Sequence, residues 1–253
     1  MSLNIIDVSK TFNGLKALNN ISLEVKEKSL TALIGPNGCG KSTLFNIISA
    51  VLPADESSKS ILFNGLQILN KKSYQISNYG ISRTYQDTRL FKELTVLENL
   101  MLPPKQQIGE KFLKALFPIF FKKQEENLKI KALDILNLLD ISHMAYEYAK
   151  NLSGGQSKLA DIGRVLMSSP KILLLDEPTA GVNPALTEKL FQKIVELKNK
   201  LGLTILLIEH DMDVIMRDEV DYVYVANDGE IITHGTPNEV KQNKEVIEAY
   251  LGK

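Results

Sequence analysis

The segment Gly35–Ser42 combines glycines, one lysine and a hydroxyl residue in a pattern suited to phosphate binding. It reads GPNGCGKS and fits G-x-x-x-x-G-K-[ST] at every position. Backbone N–H groups of such a loop, reinforced by the dipole of the following helix, can surround a phosphate. Lys41 would reach the outer phosphates of a nucleotide, and the Ser42 hydroxyl would ligate Mg²⁺. The chemistry expected here is binding of a nucleoside polyphosphate.

The surroundings of this phosphate loop match what the motif requires. The apolar run Leu30–Ile34 leads into the loop, and Leu44, Phe45, Ile47 and Ile48 follow it at helical spacing. Cys39 has two interpretations: a small residue tolerated in the loop, or a reactive thiol beside a helix N-terminus. The loop residues predicted to bind nucleotide are Gly35, Pro36, Asn37, Gly38, Cys39, Gly40, Lys41, Ser42 and Thr43.

Two carboxylates stand at the end of an apolar run, Ile172–Glu177, which reads ILLLDE. Such a run is typical of a buried parallel strand. Asp176 at the strand end can hold Mg²⁺ through water, and Glu177 can orient or deprotonate an attacking water. Beside a phosphate loop, this pair indicates transfer of a phosphoryl group to water.

A second glycine-bearing helix start, LSGGQ at Leu152–Gln156, lacks the lysine of the first loop. A serine hydroxyl and two glycines opening a helix near Gln156 form another place suited to an anion. One lysine-containing loop and a second anion-binding helix start suggest half-sites that another copy completes. The sequence therefore predicts a nucleotide-driven dimer.

The order of secondary structure predicts an α/β fold. Strands are expected at Leu3–Val8, Ile21–Val25, Lys59–Phe63, Thr204–Ile208 and Tyr222–Val225. Between about Thr88 and Met167 the strand signals fade, and helical periodicity appears at Leu128–Leu139 and Ser157–Met167. An amphipathic helix is expected at Pro184–Lys200. Strands alternating with helices predict a largely parallel sheet covered on both faces.

Composition excludes several classes of protein. Thirty basic and thirty acidic residues cancel, which argues against a nucleic-acid partner. A single cysteine excludes an internal disulfide and fits a reducing cytoplasm. The N-terminus lacks a signal-peptide pattern, and no apolar run approaches the ~20 residues that span a bilayer. We expect a chain that does not cross a membrane by itself.

The phosphate loop, LSGGQ and LLLDEP, in this order, resemble the ATPase subunit of an ABC transporter over essentially the whole chain. The resemblance implies a RecA-like α/β core with an N-terminal antiparallel β portion and an inserted α-helical subdomain. It places the nucleotide-binding core at residues 1–87 and 168–253 and the helical signature subdomain at 88–167. It also implies ATP and Mg²⁺ as ligands. The residues expected to contact ATP of the opposite subunit are Ser153, Gly154, Gly155 and Gln156.

Further residues take on roles through this resemblance. Gln86 matches a glutamine that touches Mg²⁺ and the attacking water and senses the membrane partner. His210 matches a histidine that contacts the γ-phosphate, and Phe12 an aromatic that stacks on adenine. The implied catalytic set is Glu177, His210 and Gln86, and the implied Mg²⁺ ligands are Ser42, Gln86 and Asp176. Asn183 stands where many members have aspartate, which leaves its role in communication between the sites open.

Several stretches resemble the branch serving branched-chain amino-acid uptake, including SRTYQDTRLFKELTVLENL at Ser82–Leu100 and the ending GTPNEV…VIEAYLG. This implies an ATP-hydrolysing importer motor at the cytoplasmic face of the inner membrane. Its implied partners are an identical or paralogous ATPase subunit, transmembrane permease subunits and, indirectly, an extracytoplasmic substrate-binding protein. The alternatives are a cassette of a lipid or polysaccharide exporter and a soluble non-transport ABC ATPase.

A segment rich in Phe and Lys at Leu102–Lys123 has two interpretations. The apolar face of the helix expected around Ile108–Phe117, ending or kinking at Pro118, could pack inside the helical subdomain. It could instead form a surface near the membrane subunit or lipid headgroups. The sequence does not choose between them, nor does it name the transported substrate.

Overall fold

The computed structural model describes residues 2–105, 107–110, 121–243 and 246. The chain divides into two compact units. The first consists of Met1–Gln86, Lys171–Ala180 and Phe191–Lys253, and the second of Asp87–Pro170 and Gly181–Leu190. The predicted boundaries at 87/88 and 167/168 stay a prediction.

The elements follow in chain order. The strands are β1 (Leu3–Phe12), β2 (Leu15–Val25), β3 (Leu30–Ile34), β4 (Ser60–Phe63), β5 (Leu66–Gln67), β6 (Ile81–Arg83), β7 (Ile172–Asp176), β8 (Thr204–Ile208), β9 (Tyr222–Asn227) and β10 (Glu230–Gly235). The helices are α1 (Lys41–Ile48), α2 (Ser73–Tyr79), α3 (Val96–Met101), α4 (Lys122–Leu138), α5 (Gly154–Leu166), α6 (Pro184–Leu201), α7 (Met212–Ile215) and α8 (Pro237–Lys241). Short 3₁₀ turns occupy Ile108–Glu110, Ser142–Met144 and Ala149–Asn151.

The larger sheet of the first unit determines at which edge its strands end. Its order is β10-β9-β3-β8-β7-β6, with β10 antiparallel to β9 and the other neighbours parallel. Strands β3, β7 and β8 are buried at every position, which explains their continuous apolar sequences. Since parallel strands end at one edge, the segments that follow β3, β6, β7 and β8 lie together there.

The smaller sheet is antiparallel, in the order β2-β1-β4-β5. Strands β4 and β5 form a hairpin around Asn64-Gly65, whose φ angles of 53° and 76° suit a tight turn of this kind. Side chains of both sheets share one core with α1, whose Phe45 is fully buried. The core thus fixes the helix that follows the phosphate loop.

The second unit contains α3, α4 and α5, which pack closely. A Cβ added at Gly163 of α5 would lie 2.9 Å from the Leu139 side chain, so this glycine permits the approach. Within the part of the chain that the structure describes, no helix combines the length and apolarity that a membrane span needs.

The predicted α/β fold with an antiparallel β portion and a helical segment is confirmed. Helix α5 begins at Gly154, before the predicted start near Gln156, because Ser153 caps its first turn. The sequence patterns did not indicate β6, β10 or α2. The helix expected around Ile108–Phe117 falls mostly outside the described residues, with Ile108–Glu110 forming a 3₁₀ turn instead.

Replacement of Phe191 by alanine tests the packing of α6. Phe191 is 0% exposed, whereas Leu201 on the same helix is 48% exposed. We expect Phe191→Ala to lower the free energy of unfolding by about 3–5 kcal/mol, because it leaves a cavity. Leu201→Ala should change it by less than about 1 kcal/mol. Urea unfolding monitored by circular dichroism measures both, and equal losses would contradict the assigned burial.

Candidate functional site

The phosphate loop holds its lysine by the loop's own carbonyl groups. Lys41 opens α1 and is 5% exposed. Its Nζ donates to the carbonyl oxygens of Gly35 at 2.6 Å and Pro36 at 3.0 Å, and lies 3.7 Å from Cys39 Sγ. The positive charge is therefore fixed inside the loop, where an anion would gain most from it.

Two glycines shape this loop for different reasons. A Cβ at Gly35 would lie 2.2 Å from the carbonyl oxygen of Ala226 on β9, so only glycine fits. Gly38 has φ +86°, and a Cβ there would meet no atom within 4 Å. The loop is thus anchored to the sheet at one end and open at its tip. Cys39 is buried, which favours its interpretation as a packed small residue.

The carboxylate at the end of β7 is paired with an arginine that no sequence motif indicated. Asp176 Oδ2 lies 2.7 Å from Nη2 of Arg83, and both side chains are 6% exposed. The backbone N–H of Asp176 donates to Thr84 Oγ1 at 3.4 Å. Arg83 closes β6 only three residues before Gln86. The sequence feature that could have revealed it is the arginine itself, so close before Gln86 in SRTYQ.

Glu177, Gln86 and His210, the three residues expected to be catalytic, lie close together. The side chain of Gln86 donates from Nε2 to Glu177 Oε2 at 3.0 Å. His210 Nδ1 lies 4.0 Å from the same oxygen, and its side chain is 53% exposed. Glu177 has φ +46°, and its N–H donates to Ile208 O at 3.0 Å. This left-handed conformation is uncommon for a residue with a side chain, and such outliers cluster at functional sites.

A buried glutamate next to His210 was also missed. The fully buried Glu209 accepts hydrogen bonds at Oε1 from Thr179 N at 3.0 Å and Thr179 Oγ1 at 2.6 Å. Its Oε2 accepts from the N–H of His210 at 3.3 Å. Burial raises the pKa of Glu209, although the Thr179 donors oppose this shift. Glu209 thus joins the loop after Glu177 to the loop that carries His210. An acidic residue ending the apolar run of β8 was the available signal.

In the second unit, the signature residues form a closed hydrogen-bonded cap. Gln156 N donates to Ser153 Oγ at 3.4 Å, and Ser153 N donates to Gln156 Oε1 at 2.9 Å. This capping box fixes the first turn of α5, with Gly154 and Gly155 as its first residues. The predicted anion-binding helix start is therefore preformed.

A buried ion pair connects this helix to the segment after Gln86. Arg164 Nη2 lies 2.7 Å from Asp161 Oδ1, and its Nη1 donates to the carbonyl oxygen of Arg89 at 2.6 Å. Burial raises the pKa of Asp161, and Arg164 opposes the shift. No local sequence pattern indicates this pair, because its meaning depends on the distant Arg89.

The remaining predicted residues have definite places. Phe12 ends β1, remains partly exposed and lies under Lys10, whose Nζ is 5.5 Å from its ring centroid. Asn183, in the second unit, caps α6 by accepting at Oδ1 from Leu186 N at 3.0 Å. A neutral amide performs this capping as well as a carboxylate would, which accounts for asparagine here.

The donor set of the first unit fits MgATP. An ammonium, open-loop backbone and exposed Ser42 suit phosphates and a hard cation, which prefers oxygen ligands from hydroxyl, amide and carboxylate groups. Among the residues that the structure describes, His, Cys, Asp and Glu form no cluster of three or more that could hold a metal alone. Such a cluster is unnecessary where phosphate oxygens supply ligands.

The fold and site define a class: an α/β phosphate-loop nucleotide-binding protein with a second, signature-type helix start. The family described as ABC transporter matches residues 18–180, and that of the branched-chain amino acid ATP-binding cassette transporter matches residues 230–253. A relative from Archaeoglobus fulgidus, the "Probable branched-chain amino acid transport ATP-binding protein LivG", is 41% identical over 97% of this chain and 93% of its own length. The chain belongs to the ATP-binding subunits of ABC transporters, in their branched-chain amino acid branch.

Solved structures agree with this assignment. An ATP-binding cassette of an ABC transporter, in its ADP conformation, is 39% identical, with a TM-score of 0.84 and complete coverage of both chains. A dimeric cassette in a post-hydrolysis state, bound to ADP and Pi, is 25% identical with a TM-score of 0.75, covering 93% of this chain and 98% of that one. The predicted ABC ATPase fold is confirmed.

The buried Glu209 predicts a pH effect on stability. Its pKa is raised above the ordinary 4.5, so the folded state holds the proton more tightly than the unfolded state. The free energy that this carboxyl group contributes to folding is fully present below pH 4.5. It is lost as the pH rises through the pKa of the folded state. Glu209→Gln removes this loss. Relative to the variant, the wild type should therefore lose stability in the range above pH 4.5, which urea unfolding at a series of pH values measures.

The exposed Glu56→Gln serves as a control for loss of one carboxylate and should follow the wild-type pH curve. If the stability difference between wild type and Glu209→Gln were constant over this range, the assigned shift would be wrong.

Proposed function

We propose that this chain is the ATP-hydrolysing motor subunit of an ABC importer for branched-chain or other small amino acids or amides. The observation that carries the proposal is the arrangement at Glu177. Its carboxylate accepts a hydrogen bond from the Gln86 side-chain amide at 3.0 Å, and the His210 imidazole nitrogen lies 4.0 Å from the same oxygen. The segments that carry these groups leave the larger sheet at the same edge as the phosphate loop. The similarity to a probable branched-chain amino acid transport ATP-binding protein favours amino-acid transport over export of lipid or polysaccharide.

The phosphate loop and its lysine bind the triphosphate in this proposal. Lys41 exchanges its loop carbonyls for phosphate oxygens, which are stronger acceptors for an ammonium. Ser42, Gln86 and Asp176 hold Mg²⁺, which when bound neutralises negative charge on the phosphates. The partly exposed ring of Phe12 stacks on the adenine base.

Glu177 acts on the water that attacks the γ-phosphate. Its carboxylate accepts a hydrogen bond from that water and takes up the proton as the new P–O bond forms. The bond between the γ-phosphorus and the β,γ-bridging oxygen breaks in the same step, and ADP leaves with that oxygen. Gln86 orients the carboxylate through their hydrogen bond, and His210 donates to the γ-phosphate. Through its hydrogen bonds, Glu209 holds the loop of Thr179 and the loop of His210 in fixed positions relative to each other during this step.

The signature segment serves a second copy. Ser153, Gly154, Gly155 and Gln156 present hydroxyl and backbone donors to the nucleotide bound by the partner's loop. The solved dimeric cassette bound to ADP and Pi supports assembly in pairs. The second copy is identical or a paralogue.

The motor works with other subunits. Transmembrane permeases carry the substrate, which an extracytoplasmic binding protein delivers, and the chain associates peripherally with the cytoplasmic face of the inner membrane. The core at 1–87 and 168–253 binds nucleotide, and the signature subdomain at 88–167 transmits movement. The equal numbers of basic and acidic residues support protein partners over nucleic acid.

Replacement of Glu177 by glutamine tests the catalytic assignment. Glutamine retains the size of the side chain but cannot accept a proton, so hydrolysis should fall about 10²–10⁴-fold. ATP affinity should be retained, and MgATP should trap a dimer. Phosphate release, nucleotide titration and light scattering measure these effects. Glu56→Gln is the matched control, and near-normal hydrolysis by Glu177→Gln would remove that residue from the catalytic role.

Mixing two inactive variants tests the sharing of sites. Lys41→Ala disables a chain's own loop, and Ser153→Arg disables its signature. A mixed dimer keeps one complete site, made from the loop of the second variant and the signature of the first. Each variant alone should be inactive, and an equimolar mixture should recover measurable ATPase activity. Activity that stays absent after mixing, with mixed dimers demonstrated, would refute the shared site.

A further inference from the structure

Arg83 lies at the meeting point of three elements of the first unit. Its Nη2 contacts Asp176 Oδ2 at 2.7 Å, at the end of β7. Its Nη1 donates to Asn46 Oδ1 at 2.7 Å and Ser49 Oγ at 3.2 Å, on α1 and at its C-terminal end. One side chain thus connects the phosphate-loop helix, the Asp176 carboxylate and the strand that leads to Gln86.

Aromatic rings hold the guanidinium in this position. Its central carbon lies 4.8 Å from the ring centroid of Tyr85 and 5.4 Å from that of Phe45. Such contacts with aromatic rings stabilise a desolvated cation. Because Phe45 is fully buried and Tyr85 directly precedes Gln86, the position of the cation is tied to both the core and the catalytic segment.

The hydrogen bonding of Arg83 is incomplete. Among the described residues, its Nε is the one buried side-chain nitrogen or oxygen without a partner. A buried donor without an acceptor is unfavourable, so satisfying every donor is not what fixes this side chain. The contact with Asp176 is the one in which the charge of Arg83 meets an opposite charge. Two charges with only 6% exposure each require such mutual compensation.

We propose that Arg83 is a positioning residue that neutralises Asp176 and keeps this carboxylate from binding a divalent cation in the nucleotide-free chain. A guanidinium and a metal ion compete for the same oxygen, and their positive charges repel. The phosphates of a bound nucleotide bring the extra negative charge that offsets this repulsion. The inference rests on the proposed function in one respect, the assignment of Asp176 to the Mg²⁺ site.

Binding of Mn²⁺ alone to the nucleotide-free protein tests this inference. Mn²⁺ accepts the same oxygen ligands as Mg²⁺, and the signal of the free ion in electron paramagnetic resonance reports binding. We expect the wild type to bind weakly and Arg83→Met to bind about tenfold more tightly or better, since an adjacent cation shifts the occupancy of a carboxylate by that order. Arg83→Lys should stay near wild type, because it retains the charge.

Two controls assign the effect to Asp176. Arg83→Met combined with Asp176→Asn should lose the gained Mn²⁺ binding. Lys198→Met removes a cation from another ion pair, in which Lys198 Nζ lies 2.9 Å from Asp221 Oδ2, and should leave Mn²⁺ binding at the wild-type level. Equal Mn²⁺ affinity of wild type and Arg83→Met, or equal gains by Arg83→Met and Arg83→Lys, would overturn the inference.

Folding provides a second measurement should Arg83→Met prove unstable. The double variant lacks the uncompensated carboxylate, so it should unfold at higher urea concentration than Arg83→Met; an equal or lower midpoint would contradict the charge pairing. These measurements use no nucleotide. A chain that binds Mn²⁺ as expected but hydrolyses no ATP would refute the proposed function alone.

Discussion

The parallel pairing of β7, β8 and β3 is the constraint on which the site depends. Asp176 pairs with Ile208, and Ile208 pairs with Leu33, so three chain segments leave the sheet from one row. Within two residues of this row of paired residues begin the phosphate loop, the Glu177 segment and the His210 segment. A shift of register by one residue would turn each side chain to the opposite face of the sheet. The burial of these strands on both faces opposes such a shift.

Charge is concentrated where the core meets this edge. Lys41, Arg83, Asp176 and Glu209 are all largely buried, and they are compensated in three different ways. Backbone carbonyls hold the ammonium, an ion pair joins Arg83 to Asp176, and Thr179 donates to Glu209. Charged groups held in a region of low dielectric act strongly on a ligand. The same burial makes them sensitive to loss of one partner, since the remaining charge is then uncompensated.

The extent to which the sequence predicts the site depends on how local each signal is. Lys41, Glu177 and Ser153 stand in short motifs whose spacing carries their meaning, and the strands before them are continuous apolar runs. Arg83 and Asp176 are 93 residues apart, and Glu209 and Thr179 are 30 apart, so no local pattern reports their pairing. Strand β6 has only three residues, and β10 is mostly half-exposed, which leaves either without a clear periodic signal. These two strands form because they pair with neighbouring strands of the sheet.

The cap on helix α5 has a consequence for how a second chain can dock. A hydroxyl has one donor hydrogen and two acceptor lone pairs, and Ser153 uses only an acceptor position to receive the Gln156 N–H. Its own hydrogen remains available to an incoming phosphate oxygen without breaking the cap. The ordering of this helix end is thus completed during folding, so little further conformational entropy is lost on contact. In the proposed dimer, the surface offered to the partner is therefore already formed before the two chains meet.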